Sequence, residues 1–193
     1  GVRFGGVEFE RRSPLLEDSA AGGRATGDLE GFLTGVGGRG SQTGTVDYSN
    51  GGLVGGIDYQ FSDEVVGGLA INWITADVDH AGGGGGSDSD TYGASLYAAY
   101  SQGGLDVSGL FNYSFSDYSN TRVIGAGDVA TGTNNSDQIY ASSSVSRKYD
   151  LSGGVVIGPA FRFDLVKVWM DGYSETGSTA NNNQYDAFEV DSF

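Results

Sequence analysis

The chain has 193 residues, 35 of them glycine and none cysteine, and a formal net charge of −15 at pH 7. Its length allows one domain with a sizeable core, and the lack of cysteine excludes disulfides and thiolate chemistry. Its charge excludes nonspecific nucleic-acid binding, because a phosphate backbone is repelled by such a surface.

In chain order, residues 1–12, "GVRFGGVEFERR", predict a strand broken by a glycine bulge. Ser13 as N-cap, Pro14 at the first helical position and Gly22-Gly23 as a stop then predict a helix of about two turns. Such a helix is marginal alone and needs a surface or a lumen to rest against. Residues 1–30 are therefore read as an N-terminal strand with a short helix or linker, and residues 31–193 as the domain proper. No charged start followed by an apolar core occurs, so no signal peptide is expected within the chain as it stands. No apolar run is long enough for a transmembrane helix, a test that does not apply to barrels, whose strands need only about 9–11 residues.

From Gly31 onward hairpin follows hairpin. "GFLTGVGGRG" and "GGLVGGIDYQF" are glycine-loaded strands, and "EVVGGLAINWITADVDH" puts Leu69, Ile71 and Trp73 on one face. "TYGASLYAAYS" sets Tyr92, Leu96 and Tyr100 against Gly93, Ser95 and Tyr97. In "GGLDVSGLFNYSFSDY" Val107, Phe111, Tyr113 and Phe115 oppose Ser108, Asn112, Ser114 and Ser116. "QIYASSSVSRKYDL" continues the alternation with Ile139 and Val145 opposite Ser142 and Ser144. "GVVIGPAFRFDLVKVWMDGY" is expected to run as one face from Val155 through Phe161 and Phe163 to Trp169, with Arg162 and Asp164 on the other. "QYDAFEVDSF" ends the chain. Short turns such as "SQGG" alternate with the polar segments "DHAGGGGGSDSD" and "GAGDVATGTNNSD", which are expected as long loops at the opposite rim.

The polar faces carry serine, asparagine and glycine with few long charged side chains, which suits a crowded, hydrated barrel interior. The apolar faces, bordered by tyrosine and tryptophan, suit lipid tails and headgroups. A soluble β fold is the alternative, and it demands the opposite exposure of Phe111, Tyr113 and Phe163 relative to Ser114 and Ser144.

The run "TYGASLYAAYSQGGLDVSGLFNYSFSDYSNTR", followed by "IGPAFRFDLVKVWMDGYSETG" and preceded by "GGLVGGIDYQFSDEVVGGLAINW", resembles the β-domain of autotransporters, the type V secretion translocators of Gram-negative bacteria, over residues 31–193. Pro159 and "DGYSETG" are its most specific parts. The resemblance implies an antiparallel up-and-down β-barrel of outer-membrane type with twelve strands, of which this chain is expected to supply about eight to ten. It further implies an outer-membrane translocator or anchor without catalysis, whose lumen passes or holds a linker from an upstream passenger. The strand candidates are fewer than a family-sized barrel needs, so three forms are open: a piece of a longer protein, a smaller barrel, or a sheet completed by another copy. The last defines the alternative function, a secreted subunit that polymerises into extracellular filaments by strand exchange through residues 1–12.

The partners expected are outer-membrane lipid, an upstream passenger segment and, under the alternative, other copies of the chain, with no nucleic acid. No catalytic, cofactor or metal set is expected. His80 is the lone histidine and reads as a loop residue rather than a triad member. Asp88 and Asp90 in "SDSD" lack the glycine and distant glutamate of a helix-loop-helix calcium site. The Gly82–Gly86 run has no following lysine or helix to make a phosphate loop. Arg162 and Asp164 read as an interior brace, and Tyr92, Tyr100, Tyr113 and Trp169 as an interfacial girdle.

Overall fold

Two-residue alternation and glycine turns carry the architecture. The computed structural model describes residues 26–42, 45–125, 127–151, 153, 155–179 and 181–193. The strand and helix expected within residues 1–23 lie outside them. Six long strands come first: β1 (Leu29–Gln42), β2 (Val46–Gln60), β3 (Val65–His80), β4 (Gly85–Gln102), β5 (Leu105–Gly125) and β6 (Asp128–Arg147). Shorter ones follow: β7 (Tyr149–Leu151), β8 (Val155–Ile157), β9 (Ala160–Met170), β10 (Tyr173–Ser174), β11 (Gln184–Tyr185) and β12 (Phe188–Ser192). The main sheet has eight strands in the order β1-β2-β3-β4-β5-β6-β9-β12, every neighbouring pair antiparallel. This is the up-and-down meander the alternation predicts.

The two small sheets are prolongations of its hairpins. Tyr149 pairs with Ile157 in the register in which Ser146 pairs with Ala160, so β7–β8 extend the β6–β9 hairpin. The interruption falls at Gly158 and Pro159, where proline has no N–H for the ladder. The strand is thus interrupted, with β9 starting only at Ala160, while the unchanged register keeps Val155 and Ile157 in the parity of Phe161 and Phe163. At the other end β10–β11 extend the β9–β12 hairpin, with Tyr173 opposite Tyr185 as Phe188 is opposite Met170.

The rims differ from expectation. The segments "DHAGGGGGSDSD" and "GAGDVATGTNNSD" are not long loops: β4 begins at Gly85 and β6 at Asp128, and a 3-10 turn over Ala81–Gly83 suffices between β3 and β4. Polar residues there alternate in register with neighbouring strands, so ladder hydrogen bonds hold what apolar pattern does not signal. At the opposite rim the β4–β5 turn is two residues, Gly103 and Gly104, with φ of 59° and 79°. Both central positions of such a hairpin turn need positive φ, which glycine adopts without a Cβ clash.

The two faces meet different surroundings. Phe111, Tyr113 and Phe163 are 46%, 47% and 56% exposed, whereas Ser114 and Ser142 on the other face are 5% and 9% exposed. The apolar members of the core, Val66, Ala70, Tyr97 and Ala130, lie on that same serine face. A single layer buries small polar side chains on one side only if it curls around them, so this face is the concave, inner one. The soluble β alternative is overturned at this point, because its core would hold the aromatic side chains.

Candidate functional site

The two faces of the sheet present two surfaces, the inner wall and the outer belt. The inner wall carries polar pairs that join neighbouring strands. Ser108 and Ser144 hydroxyls meet at 2.7 Å, Thr91 and Ser116 at 2.7 Å, and Asn120 Nδ2 donates to Asn134 Oδ1 at 2.8 Å.

Three contacts on this wall reach over an intervening strand. The Tyr97 hydroxyl on β4 donates to Asp58 on β2 across Gly68 of β3. Asn112 Nδ2 on β5 donates to Asn72 Oδ1 on β3 at 3.4 Å across Gly93 of β4. Arg122 on β5 grips Glu175, just past β10, across the part of β6 that carries Ala130 and Gly132, its Nε donating to Glu175 Oε1 at 2.9 Å. Each crossing lies over a residue with little or no side chain: a Cβ at Gly93 would sit 3.0 Å from Asn72 Nδ2, and one at Gly132 2.5 Å from the Tyr173 ring. Glycine on the inner wall therefore makes room for bonds that draw alternate strands together.

The Arg122–Glu175 clamp depends on a break in parity. Even-numbered residues of β9 face inward, as Arg162 and Asp164 do. Met170 pairs with Ser136, but Thr176 bridges Thr131, one residue out of the register of β9. The extra residue falls at Asp171–Gly172, and a bulge of this kind re-aims the side chains beyond it. Tyr173 and Glu175 consequently turn inward. The Asn183 backbone N–H donates to Glu175 Oε2 at 2.8 Å, and the rings of Tyr173 and Tyr185 stack at 4.7 Å. The Arg122 guanidinium, aided by that backbone N–H, holds the Glu175 carboxyl down at about 2.

Lower on the wall Arg162 and Asp164 do form the expected brace. Arg162 Nε donates to Asp164 Oδ2 at 2.8 Å, and the Tyr140 hydroxyl donates to Asp164 Oδ1 at 2.7 Å.

The outer belt carries Leu33, Ile57, Leu69, Ile71, Leu96 and Phe111 exposed to the surroundings. Trp73, Tyr92, Phe115, Asp137 and Trp169 form one cross-strand row at its upper margin. Trp73 Nε1 donates to Asp90 at 3.2 Å and the Tyr113 hydroxyl to Asp137, so rings and carboxylates meet at this level. Tyr100 lies at the lower margin, where its hydroxyl donates to Gln102 at 2.8 Å. The belt from Val107 to Phe115 is roughly 26 Å along the strand at about 3.3 Å per residue. With a tilt near 40° that is about 20 Å, comparable to the apolar band of a membrane barrel.

Lys167 breaks the belt on β9, but Glu189 Oε2 at 2.9 Å and Asp191 Oδ1 at 3.6 Å neutralise it, and its Nζ lies 5.1 Å from the Trp169 ring centroid. This pairing accounts for the two carboxylates on the last strand where alternation alone would place apolar residues.

His80 ends β3, exposed, beside the 3-10 turn. Asp88 and Asp90 belong to β4 rather than to a loop, Asp88 directly opposite Asp77. Among the described residues no group of His, Asp and Glu could hold a metal ion. The alternation alone places Arg162 with Asp164. It does not reveal the Asp58–Tyr97 and Arg122–Glu175 contacts, although the odd-for-even switch across "DG" in "MDGYSE" marks the second.

Comparison with known proteins agrees with this geometry. Residues 31–193 match the family model of the autotransporter β-domain. No curated protein sequence matches the chain. Among solved structures it is similar to the translocator domain of the autotransporter NalP from Neisseria meningitidis, with a TM-score of 0.68 and 17% sequence identity over 90% of this chain. The chain spans 61% of that structure's length. None of these similarities points to a filament subunit.

Proposed function

The chain belongs to the autotransporter β-domain family, and we propose that it works as a translocator and anchor in the bacterial outer membrane, without catalysis. In this reading residues 31–193 form the membrane-embedded unit and residues 1–30 the linker that joins it, through the lumen, to an upstream passenger. The observation that carries the reading is the polarity of the sheet: aromatic and aliphatic side chains stand exposed on the outer face while serines are buried on the inner one. In water the exposed belt would be a large aggregation-prone patch, whereas in lipid it is the favourable surface.

The same physics sets a condition. β1 and β12 are the two edges of the described sheet, and unpaired backbone groups in lipid cost several kcal/mol each. Both edges must therefore be paired in the membrane. Expression of the full-length protein that carries this chain, followed by membrane fractionation and electrophoresis with and without boiling, tests the reading. The expected result is an outer-membrane protein that needs detergent for extraction and migrates differently before heating. Recovery as ordered polymers from the medium, or as a detergent-independent soluble protein, would overturn it.

A further inference from the structure

The outer belt is not uniformly smooth. Near the rim of the β2–β3 and β4–β5 turns it holds a groove of about 390 Å³. Tyr59 and Phe61 form one wall, their rings edge to face at 4.8 Å, and Leu69 and Leu96 close the upper end. The floor is shallow because the outward positions of β3 and β4 there are Gly67, which the Phe61 ring covers, and the exposed Ala98. At the rim end the chain leaves Phe61 directly into the turn that carries Asp63 and Glu64. The partners of these carboxylates are neutral: the Thr26 hydroxyl donates to Asp63 at 3.1 Å, and Gln102 Nε2 donates to Glu64 at 3.1 Å. No lysine or arginine occurs anywhere in residues 46–102, the stretch that contains β2, β3 and β4.

We propose that this groove is a phospholipid site, in which one acyl chain lies over Ala98 beside the Phe61 ring and a primary ammonium headgroup sits against Asp63 and Glu64. The inference rests on the membrane reading above and adds a ligand to it. An apolar slot open to the belt is filled by whatever hydrocarbon surrounds it, so the acyl part follows from continuity. Selection comes from the rim. Two carboxylates with no cation on the neighbouring strands repel an anionic headgroup and attract a cationic one. A primary ammonium offers three N–H donors to them, which a quaternary choline lacks. The class indicated is a phosphatidylethanolamine rather than a phosphatidylglycerol or a phosphatidylcholine.

The test is native mass spectrometry of the full-length protein after reconstitution into vesicles holding equal amounts of the three lipids, with insertion checked by heat-dependent migration. The expected result is selective retention of phosphatidylethanolamine. Ala98→Trp, which fills the exposed floor with a residue at home in the belt, should abolish retention. Asp63→Asn with Glu64→Gln should keep a bound lipid but lose its headgroup preference. An inserted protein that retains no lipid, or all three equally, overturns the site and leaves the membrane assignment standing. A protein that inserts into none of the vesicles overturns that assignment and the site with it.

Discussion

Arg122 and Glu175 meet on the inner wall although 53 residues and an intervening strand separate them. Their ion pair holds the prolonged end of the β9–β12 hairpin against β5 and β6. Glu175→Ala and Arg122→Ala should each speed amide exchange in the paired stretch from Tyr173 to Tyr185 while leaving the belt protected. The double variant should be little worse than either single one, since the two residues act as a unit. Hydrogen exchange followed residue by residue checks this, and strictly additive effects would argue against a clamp.

The same pair sets a pH dependence. The Glu175 carboxyl is pulled from 4.5 to about 2, foremost by its bond to Arg122. A lowered folded-state value adds stability that is complete above the ordinary value and lost as pH falls through the folded one. Protection of the Tyr173–Tyr185 stretch should therefore be full above pH 4.5, decline as pH falls below it and be lost as pH reaches about 2. Glu175→Gln should remove this acid step. Carboxyl chemical shifts across the titration provide the measurement.

Glycine has opposite meanings on the two faces. A Cβ at Gly132 would sit 2.5 Å from the Tyr173 ring, whereas one at Gly109, on the outer face, meets nothing nearer than the Ser142 carbonyl at 3.9 Å. Gly132→Leu should cost about 1–3 kcal/mol through overpacking. Gly109→Ala should be neutral or stabilise by about 0.4–1 kcal/mol, because alanine reduces the freedom of the unfolded chain. Denaturant titration of folding into vesicles distinguishes the two.

Neighbouring residues on β3 test which face meets lipid. Ile71 is 71% exposed on the outer face, and Asn72 accepts a hydrogen bond on the inner one. Ile71→Arg should weaken folding into bilayers by about 2–4 kcal/mol, the cost of arginine near the midplane. Asn72→Arg should fold into the same vesicles, since its charge enters a polar lumen. The reverse order would place water outside and lipid within.

Much of the sheet was legible because one chemical contrast repeats along it. Val107, Phe111 and Tyr113 against Ser108, Asn112 and Ser114 identifies a strand and its two unlike faces from spacing alone. The upper ends of β4 and β6 were not legible. Asp88 and Asp90, or Asn134 and Asn135, carry no apolar alternation, and what makes them strand is the ladder offered by β3 and β5. The break in the ladder at Gly158-Pro159 was not legible for a related reason: Val155 and Ile157 continue the apolar pattern of β9, but alternation does not register a missing N–H.

The amino-acid order by itself determined which side chains share a face, because side-chain direction in a strand depends only on local geometry; that the aromatic face looks outward was decided by the burial of Ser114 and Ser142 on the opposite face. Tertiary structure decided which inner residues touch. Tyr97 reaches Asp58, and Arg122 reaches Glu175, only because curvature, small residues on the strand between and a one-residue bulge bring distant positions together. Those are properties of register and curvature, which no single strand contains.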